Sequence, residues 1–153
     1  MAAGKYSFTI EQGSTLSFEL QYKTAAGVPI DLSGYEGAMQ IRSTYSGSGT
    51  TYLTLTSSIG DTYTKTSGSA FLSMSGSNLT TSLVSGSIGV YIGWASTDAL
   101  TFTDTAYYDL ELTSGADRIR LLEGQVKLSK QVTGVEWCEL SWCECDVSTV
   151  VQG

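Results

Sequence analysis

The chain has 153 residues, the size of one ordinary domain with a short extension, and it can bury a core without disulfides. Charged residues are only 15% and hydrophobic residues 41%; 22 Ser and 20 Thr stand where charge usually does. A net charge of −7 without a Lys/Arg cluster argues against nucleic-acid binding. The absence of any histidine excludes Ser-His-Asp and Cys-His catalysis and His-ligated metals. No apolar run reaches the ~18 residues of a membrane-spanning helix. The start, Met1-Ala2-Ala3-Gly4-Lys5, has no apolar signal segment, so the expectation is synthesis and folding in a cytosol, with no membrane partner.

Along the chain the hydrophobic period is two, which predicts strands. Phe8 and Ile10 mark a short one. From Thr15 to Lys23, Leu16, Phe18, Leu20 and Tyr22 share one face, and Ser17, Glu19, Gln21 and Lys23 the other. Residues Ala25 to Gly34, with the only proline, predict a connection. Met39 and Ile41, then Leu53 and Leu55, predict two more strands around the loop Tyr45–Gly49. Thr62–Thr66 and Ala70–Met74 predict a weaker pair. Ser87–Trp94 puts Ile88, Val90, Ile92 and Trp94 on a core face and Gly89 and Gly93 on the other, where another backbone can lie close. Ser96–Leu100 predicts a single helical turn.

Ala106–Thr113 and Arg118–Gln131 predict a hairpin closed by Ser114-Gly115-Ala116-Asp117. On its second strand the apolar phase moves from odd (Ile119, Leu121) to even (Leu122, Val126, Leu128). That slip predicts a bulge at Leu121-Leu122, with Gly124 just after it. Seven to nine short strands with turns between them predict an all-β, immunoglobulin-like antiparallel β-sandwich over residues 1–134, followed by a tail over 135–153. The Cys…Trp…Cys core pattern of antibody domains is missing.

Four groups of residues are candidates for chemistry. Cys138, Cys143 and Cys145 are the only cysteines. They allow a disulfide from Cys138 to Cys143 or Cys145, or simply reduced thiols. A zinc site is disfavoured, because only three thiols are present and a carboxylate (Glu144 or Asp146) would have to complete it. No cofactor or metal is expected. In the tail, Trp137 and Trp142 with Leu140 predict an apolar docking segment that seats on its own sandwich or on a neighbour, for instance as a strand added to an open sheet edge. Asp109 and Glu111 lie two apart on a polar face, their carboxylates ~6–7 Å apart. Arg118, Arg120 and Lys127 across the hairpin make a paired, solvated face the better reading than catalysis. Tyr91, Tyr107 and Trp94 could form a sugar platform, although Trp94 lies on the core face of its strand.

Phe8-Thr9-Ile10-Glu11-Gln12-Gly13, Leu32-Ser33-Gly34-Tyr35, Tyr108-Asp109-Leu110-Glu111-Leu112, Arg120-Leu121-Leu122-Glu123-Gly124 and Val132-Thr133 stand in order. Together they resemble a family of small tailed-phage virion proteins, similar to the immunoglobulin-like N-terminal domain of phage upper baseplate proteins. The resemblance covers Tyr6 to Gly134. It implies a non-enzymatic structural adaptor in a tail, baseplate or fibre, located in the virion after assembly in the host cytoplasm, with other virion proteins and copies of itself as partners. The Trp/Cys-rich tail departs from that pattern. A capsid decoration protein is the nearest alternative, and a carbohydrate-binding module for a host glycan is the alternative from another class.

Overall fold

The computed structural model describes residues 3–45, 49–59, 62–76, 79, 82–103 and 105–131. The chain is an all-β sandwich. Nine strands occur among the described residues: β1 (Gly4–Lys5), β2 (Phe8–Glu11), β3 (Leu16–Gln21), β4 (Glu36–Arg42), β5 (Thr51–Ser57), β6 (Ala70–Ser73), β7 (Ser87–Ile92), β8 (Ala106–Ser114) and β9 (Asp117–Ser129). The larger sheet runs β1-β9-β8-β4-β5, with β2 also on β9; the smaller runs β3-β7-β6. This two-sheet arrangement is that of an immunoglobulin-like sandwich.

Alternation builds the core. Met39 and Ile41 on β4, Leu110 and Leu112 on β8, and Ile88, Val90 and Ile92 on β7 are all fully buried, and each belongs to the inward half of its strand. Tyr6, Phe8 and Phe18 bring the N-terminal strands over β3: the Phe8 and Phe18 rings lie 5.2 Å apart, and the Phe8 and Tyr108 rings 5.0 Å. The bulge is where the phase slip predicts it. Leu110 pairs with Leu122 and Glu111 with Arg120, which leaves Leu121 as the extra residue.

Several expectations need correction. The sandwich is not purely antiparallel, because β1 and β2 run parallel to β9. Thr62–Thr66 forms no strand. Its side chains hold it across the outer face of the smaller sheet instead: Tyr63 stacks on Phe71 at 4.6 Å and Lys65 lies over the Tyr91 ring. The β8–β9 hairpin is tighter than four residues. Ser114 pairs with Asp117, leaving a two-residue loop in which Gly115 takes the positive φ of 60°. The helical turn α1 spans Trp94–Asp98, two residues earlier than the capping pattern suggests, because β7 already ends at Ile92.

That early end also overturns the core assignment of Trp94. Gly93 turns the chain out of β7, with its Cα packed against the carbonyls of Thr66 and Ser67, so Trp94 starts α1 and is half exposed. The close backbone approach foreseen for the glycine face is therefore made by residues 66 and 67.

Candidate interaction surface

Trp137, Cys138, Leu140, Trp142, Cys143 and Cys145 lie outside the described residues. The point from which the tail departs is described. The Gln131 amide donates to Gln12 Oε1 (3.1 Å), and its side chain donates to Asp98 Oδ1 (2.6 Å). Lys130 Nζ donates to the Thr101 carbonyl at 3.1 Å. Gln12 opens the turn between β2 and β3, so the chain leaves β9 at the end of the sandwich where β3 begins.

Two sheet edges stand out there and opposite. β3 pairs with β7 along all six residues and, among the described residues, forms an edge of the smaller sheet. β5 ends the larger sheet. Its seven residues, Thr51-Tyr52-Leu53-Thr54-Leu55-Thr56-Ser57, contain no charge and no proline. Leu55 and Ser57 point inward and are buried, while Thr54 and Thr56 are exposed. Tyr52 is an extra residue in the β4–β5 register, since Ile41 pairs with Leu53 and Arg42 with Thr51. Near the far end of β5, Tyr63 reaches the Thr56 carbonyl at 3.4 Å.

The outer face of the larger sheet carries the charges. Arg120 sits between two acids, 3.3 Å from Asp109 and 3.5 Å from Glu123, and Lys5 completes the row by bridging to Glu123. Of the three cations considered for the acid pair, Arg120 takes Asp109. Arg118 turns to the Thr113 hydroxyl (3.4 Å), and Lys127 stands beside Thr9 in the parallel ladder. Burial, with Glu111 nearby, pushes the Asp109 carboxyl above its ordinary range. The Lys5 hydrogen bond, reinforced by the charges of Lys5 and Arg120, holds Glu123 below its own. Asp109 therefore belongs to an ion-paired surface row with Arg120, Glu123 and Lys5, while Glu111 faces Arg120 across the ladder.

The three aromatics considered as a sugar platform are separated. Tyr91 is buried on the smaller sheet between Phe71 and Lys65, Trp94 stands at α1, and Tyr107 is on the larger sheet. Tyr107 has a different companion, which no strand pattern signals: Tyr45, from the β4–β5 loop, packs on it with ring centroids 4.4 Å apart and is 65% exposed. Beneath them a hollow of about 30 Å³ lies among Gln40, Arg42 and Asp109, room for a single water. A sugar could lie on Tyr45 but not enter.

No family model matches the chain, and no curated protein matches it. Among solved structures, one from a photo-crosslinking study of multimeric cell-adhesive interactions of VGSC beta subunits is 12% identical. It aligns over 86% of this chain and 96% of that one, with a TM-score of 0.42. The likeness carries no functional argument; the strand order itself defines the sandwich.

Proposed function

We propose that this chain is a non-enzymatic virion structural protein, a tail, baseplate or fibre-adaptor component that assembles through its sheet edges and its C-terminal tail. The observation that supports this reading is β5. A monomeric sandwich protects a terminal strand with charges, proline or a cover. β5 has neither charge nor proline along seven residues of high strand propensity; the Tyr52 bulge lies near one end and the Tyr63 hydroxyl near the other, and β6 lies close by without forming a ladder with it. Such an edge is suited to being covered by another chain. Its partners are then other virion proteins and further copies of itself, and its location is the particle after assembly in the host cytoplasm. A capsid decoration role uses the same edges and differs only in position on the particle.

The test is mass spectrometry of purified particles, followed by antibody labelling in electron micrographs. Stoichiometric presence at tail or baseplate supports the proposal, labelling over the head moves it to decoration, and absence from particles sinks both. A glycan-binding reading is favoured by one observation, the exposed Tyr45 over Tyr107. It requires that Tyr45→Ala abolish binding on a glycan array while leaving particle incorporation intact.

A further inference from the structure

We infer that the hollow at the seam between β5 and β6 is a binding site for one uncharged sugar ring, with the ring's hydroxyls on the serines and its C–H face on the aliphatic side chains. This goes beyond the assembly reading and does not depend on it.

The hollow comes from the way the two sheets meet. β5 ends the larger sheet and β6 ends the smaller, and the two lie close without a ladder between them. At Leu55 and Leu72 the seam is filled by fully buried side chains. Beyond them it opens, between Ser57–Ile59 on one side and Ser73–Ser75 on the other. Tyr63 borders the opening, its ring stacked on Phe71 at 4.6 Å and its hydroxyl 3.4 Å from the Thr56 carbonyl. The space is about 130 Å³. A cavity of ~150 Å³ accepts one benzene ring, so the room here suits a single six-membered ring.

The lining selects by chemistry. None of its eleven residues is Asp, Glu, Lys or Arg; seven carry hydroxyls, and the other four are Leu32, Ile59, Met74 and Leu83. A charged ligand would lose its hydration and find no opposite charge. A wholly apolar one would leave the hydroxyls unbonded. A pyranose carries hydroxyls around its rim and C–H groups on its faces, so it matches both kinds of surface. Ile59 and Leu83 are exposed and give the hollow an apolar rim for the ring face.

Ser57 is the residue that points to a ligand. It continues the inward series Leu53 and Leu55, yet it places a hydroxyl where the strand pattern calls for a hydrocarbon. It is 4% exposed, lines the hollow, and its hydroxyl has no hydrogen-bond partner among the described residues. A buried hydroxyl left without a partner is costly, and a sugar hydroxyl would satisfy it. Ser73, equally buried, lines the same hollow. Its oxygen accepts from the Ser75 amide at 3.0 Å, which leaves its proton to be donated.

The experiment is a titration of the full chain with the methyl pyranosides of glucose, galactose, mannose and rhamnose at millimolar concentrations, followed by amide chemical shifts. At least one glycoside should give saturable shifts centred on Ser57–Ile59, Ser73–Ser75 and Leu83. Ser57→Ala, which removes only an oxygen, should weaken that binding about fivefold, the loss of one neutral hydrogen bond. Ser57→Leu fills the hollow and should abolish it. Glucuronate, the same ring with a carboxylate, should not bind. Retained binding of a disaccharide ending in the preferred ring makes the source a glycan terminus, and its loss makes the source a free monosaccharide; either supports the site. No saturable shift with any glycoside means that the hollow holds water only, and overturns the proposal. So do shifts centred on Tyr45 and Tyr107, equal binding of glucuronate, or binding that Ser57→Ala leaves unchanged.

Discussion

At the level of single residues, the most demanding position is Gly124. The Tyr6 carbonyl lies so close that a Cβ on residue 124 would sit 2.0 Å from its oxygen. That oxygen is fixed from two sides: the Tyr6 amide bonds the Glu123 carbonyl at 3.0 Å, and the buried Tyr108 hydroxyl donates to the Tyr6 oxygen at 2.6 Å. Backbone, not a flexible side-chain tip, is what must move. Gly124→Ala should therefore cost about 2–3 kcal/mol, the range of overpacking in a tight site. Gly68, whose Cβ would meet nothing within 4 Å, supplies the control: Gly68→Ala should stay within about 0.5 kcal/mol. Urea unfolding of both variants checks the contrast, and equal midpoints would remove the argument. The pattern slip pointed to Gly124 as the kink residue. Its need to admit Tyr6 could not be read there, because it depends on a residue between β1 and β2, more than a hundred positions away in sequence.

The acids of the surface row make opposite contributions with pH. Glu123, held below the usual 4.5 by Lys5, contributes stability above that value, and this is lost as pH falls through the lowered folded-state pKa. Asp109, pushed above 3.8 by burial, is costlier to ionise folded than unfolded. Its contribution is most favourable at low pH and declines as pH rises through its folded pKa. Glu123→Gln should flatten the acid limb of the stability curve below pH 4.5. Asp109→Asn should steepen it, because the opposing contribution is gone. Thermal midpoints from pH 3 to 7 decide this, and parallel curves for the two variants would contradict the assignment. Both groups are solvent-facing, so the changes are small and salt-sensitive.

At the scale of elements, alternation made the strands legible where one face is buried and the other wet. β3 and β8 read directly because each alternates a more buried face with a wetter one, and β7 because its large apolar residues alternate with small ones and Tyr91. Thr62–Thr66 misled because its alternation belongs to a segment lying flat on a sheet through Tyr63 and Lys65, with no ladder to join. Trp94 misled because strand phase continues on paper after Gly93 has turned the chain. β1 and β2 joining β9 in parallel left no local sign, since parallel pairing needs a partner far along the chain. The Tyr45–Tyr107 pair was hidden for the same reason. β5 offers the clearest element-level prediction. Thr54 is exposed and pairs with Gln40 on one side only. Thr54→Lys places a charge on the β5 edge, so self-associated species should diminish in light scattering while the unfolding free energy shifts by less than about 0.5 kcal/mol. Unchanged large species would show that β5 is not the contact.

For the whole molecule, the balance to consider is between −7 of net charge and edges that carry little of it. Two acidic copies repel over the distances that salt screens, about 10 Å at 0.1 M. The contact assigned to β5 is made by main-chain hydrogen bonds and uncharged side chains, threonines on its exposed face. Salt screens the repulsion and leaves such bonds intact. Self-association should therefore tighten between about 0.05 and 0.5 M salt, by sedimentation or light scattering at fixed protein concentration. An assembly held by ion pairs between the Arg120 row of one copy and the acids of another would do the reverse and fall apart as salt rises. The sign of that dependence distinguishes edge pairing from face-to-face charge pairing, and loosening on added salt would move the interface from the strand edges to the outer face of the larger sheet.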